Sequence, residues 1–195
     1  MSVVFFGPAF AGKPANPPKV VIERFDQALL STMKAGHITG FKGRDGIMIK
    51  AVHMTFDMPF IGHLVLGHYW SSFSSAQKAA FVTVFARLIA ATYAHNFNGY
   101  GGQEILVKKT MQHGSEAFVY TLFSTPGQGH HHEFDYILKR GEKQWRIVNI
   151  ITDGVSDLAI KRAEYQHFLK RKNFASLMVA MQHQIKLMAD SDQRK

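Results

Sequence analysis

The sequence predicts an α+β domain in which an antiparallel sheet of four strands is covered by helices. Apolar residues follow a helical spacing from about residue 17 to 97 and again from 155 to 189. Between them, residues 103–152 form four β-rich runs separated by short turns, which indicates an antiparallel meander. Helices, then strands, then helices is an order typical of an α+β domain.

The length of 195 residues suits one domain, which we expect to span residues 16–190 and to be followed by a short tail at 191–195. Residues 1–15 contain a short apolar run and then Ala9-Phe10-Ala11, the small-residue pattern of a signal-peptidase site. We therefore predict that residues 1–15 are the remnant of a signal peptide and a linker, the alternative being a plain apolar tail. No other run approaches the ~20 apolar residues that span a bilayer.

The net charge of +9 fits nucleic acid, an anionic membrane surface or acidic partner proteins. Nucleic-acid binding needs exposed aromatic side chains among the basic ones, whereas here the aromatic residues alternate toward the apolar side of strands and helices. We therefore expect no nucleic-acid partner. The chain has no cysteine, which excludes thiol chemistry and zinc sites with cysteine ligands.

The segment 76–96 predicts the longest helix. Ser74 and Gln77 have the spacing of a capping box, so the helix is expected to begin near Ser75. Its apolar residues form two adjacent stripes, Phe81, Phe85, Leu88 and Thr92 in one and Val82, Ile89 and Tyr93 in the other. This apolar arc is wider than one packed face requires. It indicates either a central core helix or a helix whose second stripe lines a cavity for an apolar guest.

The predicted strands are 105–111, 116–123, 133–138 and 145–151. Because side chains alternate along a strand, the apolar residues of the last two strands share one covered face, namely Phe134, Tyr136, Leu138, Trp145 and Ile147. Glu133 and Asp135 point the opposite way. After the sheet, Ser156 or Asp153 is expected to cap one helix and Asn173 the last one.

Candidate catalytic and metal-binding residues lack a supporting pattern. Of the three consecutive histidines, only His130 and His132 share a strand face, and no pattern such as HExxH completes a metal site. Nucleotide-binding glycine patterns and GxSxG are missing as well. We therefore predict no metal, no cofactor and no enzymatic activity. The alternative is an enzyme that uses one of three aspartates beside a tyrosine, the candidates being Asp57, Asp135, Asp153, Tyr120 and Tyr136.

Several short motifs follow one another along most of the chain. They are Phe56-Asp57, Leu66-Gly67-His68-Tyr69-Trp70, Gln77, Phe81, Phe85, Tyr93-Ala94, Tyr100-Gly101, Trp145-Arg146-Ile147-Val148, Asp153-Gly154-Val155-Ser156, Arg162, Phe168 and Phe174. In their order and spacing the chain resembles the MlaC-type carriers of the toluene-tolerance family. That family consists of periplasmic lipid-binding proteins that serve an ABC transport system.

The resemblance implies a cone-shaped fold like that of nuclear transport factor, with a curved sheet and helices around a cavity for acyl chains. It also implies membrane-bound ABC transporter components, an outer-membrane lipoprotein complex and transient contact with a membrane surface as partners. Phospholipid carriers of this family usually have Asn two residues before Arg162, where this chain has Ile160. The sequence around Ile160 more closely resembles the HpnM branch, which is associated with hopanoids. Phospholipid and hopanoid therefore both stay open as the ligand.

From these patterns we expect a lipid carrier, with a lipid-free partner-binding module as a further alternative. We expect the lining of its cavity to come from Phe81, Phe85, Leu88, Tyr120, Phe134, Tyr136, Trp145, Ile147, Tyr165 and Phe168.

Overall fold

Helices precede and follow a single sheet in the computed structural model, which describes residues 16–192. The first helices are α1 (Pro18–Ala35), α2 (Gly40–Thr55), α3 (Met58–Leu66), α4 (Tyr69–Ser72) and α5 (Ser75–Asn96). The strands are β1 (Glu104–His113), β2 (Glu116–Ser124), β3 (His131–Arg140), β4 (Trp145–Thr152) and β5 (Val155–Ser156). Helices α6 (Asp157–Leu169) and α7 (Phe174–Asp192) follow. The predicted signal-peptide remnant and linker, residues 1–15, and the end of the predicted tail, 193–195, lie outside the described residues.

The α+β fold with an antiparallel curved sheet is confirmed. The strand order is β1-β2-β3-β4-β5, and every neighbouring pair is antiparallel. Strand β5 adds two residues to the four predicted strands, because a turn at Asp153-Gly154 folds the chain back onto the end of β4. Asp153 adopts a left-handed backbone conformation there, with φ of 49°.

Helix α5 begins where its capping box predicts. The Ser74 hydroxyl accepts a hydrogen bond from the Gln77 amide N–H at 3.2 Å, and the Gln77 side chain accepts one from the Ser74 N–H at 2.9 Å. Ser156 caps α6 by accepting from the Ala159 N–H, and Asn173 accepts from the Ser176 N–H at the start of α7. Helix α7 runs to Asp192, beyond the predicted end at residue 189.

A β-bulge in β4 changes which side chains face the helices. Leu138 of β3 pairs with Ile147, but the next residue toward the start of β3, Ile137, pairs with Asn149, so Val148 is an extra residue. Beyond the bulge, Ile150 rather than Asn149 lies opposite Tyr136 on the inner face. The bulge therefore brings a second isoleucine of β4 onto the covered face.

Helices α1, α2, α3 and α5 pack together and cover the inner face of the sheet. Phe25 of α1 is fully buried at their centre, and its ring makes edge contacts with Phe56, Tyr93 and Tyr136. Edge-to-face contacts of this kind add specificity to the packing of an apolar core. Within residues 16–192, no helix is long and apolar enough to cross a bilayer.

The buried side chain of Arg44 joins the ends of three other helices. Its guanidinium donates to the carbonyl of Gly36 after α1 at 2.6 Å, to the carbonyl of Ala94 in α5 at 2.8 Å and to the carboxylate of Asp192 in α7 at 2.5 Å. Burial alone would raise the pKa of the Asp192 carboxyl, but the hydrogen bond and charge of Arg44 hold that pKa below its usual range. The end of α7 is therefore attached to the helical layer.

Strand β1 forms an edge of the sheet, with β2 on one side of it. A bulge interrupts its pairing between Val107 and Lys109, and the side chains of Lys108 and Lys109 are exposed there. Charged residues and bulges at an edge oppose pairing with a further strand.

Candidate functional site

A cavity of about 440 Å³ lies between helix α5, the inner face of β3 and β4, and the first turn of α6. Its lining comprises Phe56, Val65, Phe85, Leu88, Ile89, Thr92, Tyr93, Asn96, Phe97, Phe134, Asn149, Ile150, Thr152, Asp157, Leu158, Ile160 and Lys161. The volume is within the range of small-ligand pockets. Most of these residues are aliphatic or aromatic, so the interior suits an apolar guest.

The opening of the cavity is marked by its most exposed lining residues. Asn96 at the end of α5 and Asp157 and Ile160 in α6 are exposed, whereas Phe85 and Leu88 are buried at the inner end. Partial burial raises the pKa of the Asp157 carboxyl, and the nearby Lys161 charge opposes that shift. Polar and charged groups thus stand at the mouth and apolar groups inside.

Both apolar stripes of α5 contribute to the cavity. Phe85 and Leu88 of the first stripe are buried, while Ile89 and Tyr93 of the second are half-buried beside them. The ring of Phe85 also stacks on Phe81 at 5.3 Å between centroids. The wide apolar arc therefore serves core packing on one side and the cavity on the other.

The first turn of α6 is fixed at the mouth by the side chain of Asn149. This amide exchanges hydrogen bonds with the Ser156 hydroxyl and accepts one from the Leu158 backbone N–H at 3.2 Å. Because Asn149 belongs to β4, these bonds hold the start of α6 against the sheet. Leu158, Ile160 and Lys161 are thereby placed at the cavity.

Three of the ten predicted lining residues lie at the cavity: Phe85, Leu88 and Phe134. Five others are buried in the surrounding core, namely Phe81, Tyr136, Trp145, Ile147 and Tyr165. Phe168 is half-buried and packs against that core. Tyr120 pairs with Asp135 on the opposite face of the sheet, because its strand neighbours Val119 and Thr121 are the buried ones. Contact of any of the ten with a ligand stays a prediction.

Other lining residues were missed by sequence reasoning. Strict alternation along β4 places Asn149, not Ile150, on the inner face, and only the bulge at Val148 reverses this. Leu158 shares the helix face of the buried Tyr165 and Leu169, so its spacing indicated core packing, whereas Ile160 lies on the opposite face of α6. The exposed apolar Ile160 in the motif around Arg162 was the one available signal.

The aspartates considered for an enzyme do not converge on a tyrosine in the cavity. Asp57 caps α3 through the Phe60 N–H, and Asp153 accepts from the Glu133 N–H and lies 2.7 Å from His132. Asp135 lies opposite Tyr120 on the other face of the sheet, away from the cavity. A tyrosine that hydrogen-bonds a carboxylate is Tyr136, whose hydroxyl donates to Asp26 at 2.7 Å. Both groups are buried in the core, and neither lines the cavity.

Burial raises the pKa of the Asp26 carboxyl to about 7; the Tyr136 hydrogen bond lowers it and the Glu23 charge adds to the rise. Burial also raises the pKa of the Tyr136 hydroxyl well above its ordinary value. The pair joins α1 to β3 across the core. Its role is therefore assigned to folding rather than to the cavity.

The histidines of the β2–β3 turn remain at the surface. The rings of His130 and His132 are 6.2 Å apart, and His132 contacts Asp153 through Nδ1. The hydrogen bond from His132 lowers the pKa of the Asp153 carboxyl. Across residues 16–192, no three side chains of the His, Asp or Glu type are placed to hold a metal ion.

The fold and the cavity define a class of α+β proteins that enclose an apolar pocket between a curved antiparallel sheet and helices. The profile of the MlaC protein family matches residues 23–183. The chain belongs to the MlaC family, and the resemblance seen in its motifs is confirmed.

A curated relative is the intermembrane phospholipid transport system binding protein MlaC of Haemophilus influenzae. It is 24% identical over 131 residues, which are 65% of this chain and 61% of the relative. The matched part thus spans less than two thirds of the relative's length.

A solved structure shares the fold. It is a phospholipid-binding protein from Ralstonia solanacearum in complex with a phospholipid, with a TM-score of 0.76 and 14% sequence identity. The superposition covers 89% of this chain and 99% of the other.

Proposed function

We propose that this protein is a periplasmic lipid carrier that holds the apolar part of one lipid in the cavity between α5, the sheet and α6. The observation that carries the proposal is the apolar interior of that cavity, together with its polar mouth. The phospholipid named for both relatives supports the ligand class. We assign residues 16–190 to the lipid-binding domain, and we propose that its action is binding and transfer rather than catalysis.

The transfer free energies agree with such a role. Transfer of a lipid tail of about 16 methylenes into water costs a free energy on the order of 10 kcal/mol, at about 0.8 kcal/mol per methylene. The cavity replaces water by apolar side chains, so the exchange of a tail between a bilayer and the protein is nearly neutral. Small changes on docking to a partner are then sufficient to decide loading or release.

The partners we propose are the membrane-bound components of an ABC-type transporter and an outer-membrane lipoprotein complex. The name of the curated relative, a binding protein of an intermembrane transport system, supports this assignment. Lys161 is the cation among the described residues that line the cavity, and its ammonium donates to Glu164 at 2.8 Å. The half-exposed Ile160 beside it favours an apolar or weakly polar group at the mouth, as in a hopanoid, over a strongly hydrated one.

The test is to purify the protein from its native envelope without detergent and to identify extracted lipids by mass spectrometry. An intact long-chain lipid in a fixed ratio to protein is the expected result, and its chemical class distinguishes phospholipid from hopanoid. A small modified molecule would support the enzyme alternative instead. Protein free of lipid, which also fails to take up lipid from vesicles, would leave the partner-binding module as the function.

A further inference from the structure

A second concave surface lies on the other side of α1 from the sheet, in the groove between α1 and α2. It is an open depression of about 810 Å³, bordered by Arg24 of α1 and by Lys42 and Lys50 of α2. We call it the basic groove. Small side chains such as Ala28, Ser31 and Ala51 line it as well, together with the apolar Ile47 and Met54 of α2.

The charge of the basic groove is unbalanced. Arg24, Lys42 and Lys50 are all exposed, and within residues 16–192 none of them forms an ion pair or a side-chain hydrogen bond. The described residues that line the groove include no Asp or Glu. Three unneutralised cations around one concavity favour an anionic occupant.

Gly46, which has no side chain, lies between the two lysines on the surface of α2. Residues Lys42, Gly46, Lys50 and Met54 follow each other at intervals of four, so they form one row along the helix surface. Lys42 and Lys50 are about 12 Å apart along the helix axis, at 1.5 Å per residue. Gly46 leaves a notch midway between them.

Packing within the protein does not require glycine at position 46. A Cβ atom at Gly43 would collide with the Thr39 side chain, whereas one at Gly46 meets no atom within 4 Å. Glycine lowers the stability of a helix interior relative to alanine. An alanine would therefore fit the fold of the free protein better, and what the missing side chain permits is a close approach from outside.

From the notch, the cations and the exposed Met54 we infer that the basic groove is the docking site for an acidic, amphipathic segment of a partner protein. Carboxylates of that segment lie against Arg24, Lys42 and Lys50, its backbone approaches Gly46, and an apolar residue covers Met54, which is 49% exposed. A bilayer surface is too flat on this scale to enter a groove between two helices. The basic groove shares no lining residue with the lipid cavity, so docking in it does not require lipid binding.

Binding of a fluorescein-labelled acidic, amphipathic peptide is measured by fluorescence anisotropy at low and at physiological salt. The peptide contains Glu and Leu residues that alternate from one helical turn to the next. The variant Lys42→Glu/Lys50→Glu is expected to weaken binding about ten-fold or more. The control Lys172→Glu/Lys186→Glu changes the net charge equally at exposed positions outside the groove and is expected to bind as the wild type does. Equal losses in both variants would mean that overall charge alone attracts the peptide and would overturn the proposal.

A second variant tests the notch without changing charge. Gly46→Leu fills the groove and replaces glycine by a better helix former, so its melting temperature should be at least that of the wild type while peptide binding falls about ten-fold. Unchanged binding by this variant would overturn the proposal. The proposal would also be overturned if the protein bound phosphatidylglycerol vesicles saturably instead of the peptide and the groove variants lost that binding. Absence of binding to either probe would overturn it as well.

Discussion

Asp26 is a carboxyl group in the core whose protonation is coupled to folding. Its pKa is raised from 3.8 to about 7, chiefly by burial, and its only hydrogen-bonding side chain among the described residues is Tyr136. The folded chain therefore holds this proton more tightly than the unfolded chain does. The stability that the group contributes is complete below about pH 4 and is lost as the pH rises to about 7.

Replacement of Asp26 by Asn should remove that loss, because the amide stays neutral and still accepts from Tyr136. A shift of about three pKa units corresponds to roughly 4 kcal/mol over the whole range. Between about pH 5 and pH 8 we expect the free energy of unfolding in urea to fall by roughly 3 kcal/mol less in Asp26→Asn than in the wild type. Glu142→Gln, in the exposed β3–β4 turn, is the control. Parallel pH profiles for Asp26→Asn and the wild type would contradict the assignment.

Two buried tyrosines differ in the hydrogen bonding of their hydroxyls. We therefore expect different changes in stability when each is replaced by phenylalanine. The hydroxyl of Tyr165 has no hydrogen-bond partner within residues 16–192, whereas that of Tyr136 donates to Asp26. Tyr165→Phe should leave stability unchanged or raise it by about 1 kcal/mol, and Tyr136→Phe should lower it by about 1–3 kcal/mol. Urea unfolding at pH 7 measures both. A larger loss in Tyr165→Phe than in Tyr136→Phe would refute this account.

The helices depend on Arg44, through which α2 contacts the ends of α1, α5 and α7. Replacement of Arg44 by Met removes the donor of two carbonyls and the charged partner of the Asp192 carboxylate, which keeps the backbone hydrogen bond from Phe41. We expect a loss of about 3–5 kcal/mol in the free energy of unfolding, as for other broken buried ion pairs. Lys19→Met removes an exposed pair with Glu23 and should change stability by less than about 1 kcal/mol. Similar small losses in both variants would show that the Arg44 contacts do not hold the layer together.

The same elements show where sequence reasoning succeeds and where it stops. Capping and turn chemistry are local, so the start of α5 at Ser75 and the four long strands were predicted closely. The partners of Arg44 are residues 36, 94 and 192, and no periodicity reveals contacts over such separations. The bulge at Val148 likewise depends on pairing with β3, so alternation along β4 gives no sign that Ile150 lies opposite Tyr136 on the inner face.

For the whole molecule, the family and the general architecture followed from motif order, whereas the position of the cavity did not. Phe85, Leu88 and Phe134 were predicted at it, but large side chains such as Trp145 and Tyr136 fill the core instead. Apolar periodicity marks a buried side chain without telling whether its neighbour is protein or ligand. Only the packing of α6 against β4 determines where a space is left.

Obstruction of the cavity mouth should reduce lipid retention without unfolding the protein. Leu158 is half-buried at the mouth, so Leu158→Trp places an indole in the space that a tail would occupy. We expect copurified lipid per mole of protein to fall several-fold while the melting temperature stays within a few degrees. Val179→Trp adds the same side chain at a position that is 65% exposed on α7 and should retain lipid fully. Full lipid retention by Leu158→Trp would place the ligand elsewhere.

The irregular, lysine-bearing edge at β1 bears on how the protein behaves when it is crowded. A straight, apolar border strand would recruit identical copies and grow into fibrils. Here the kink between Val107 and Lys109 and the like charges of Lys108 and Lys109 on approaching copies oppose such growth. We therefore expect the protein to resist edge-to-edge association at high concentration, even though β1 leaves ten residues of strand along an open edge.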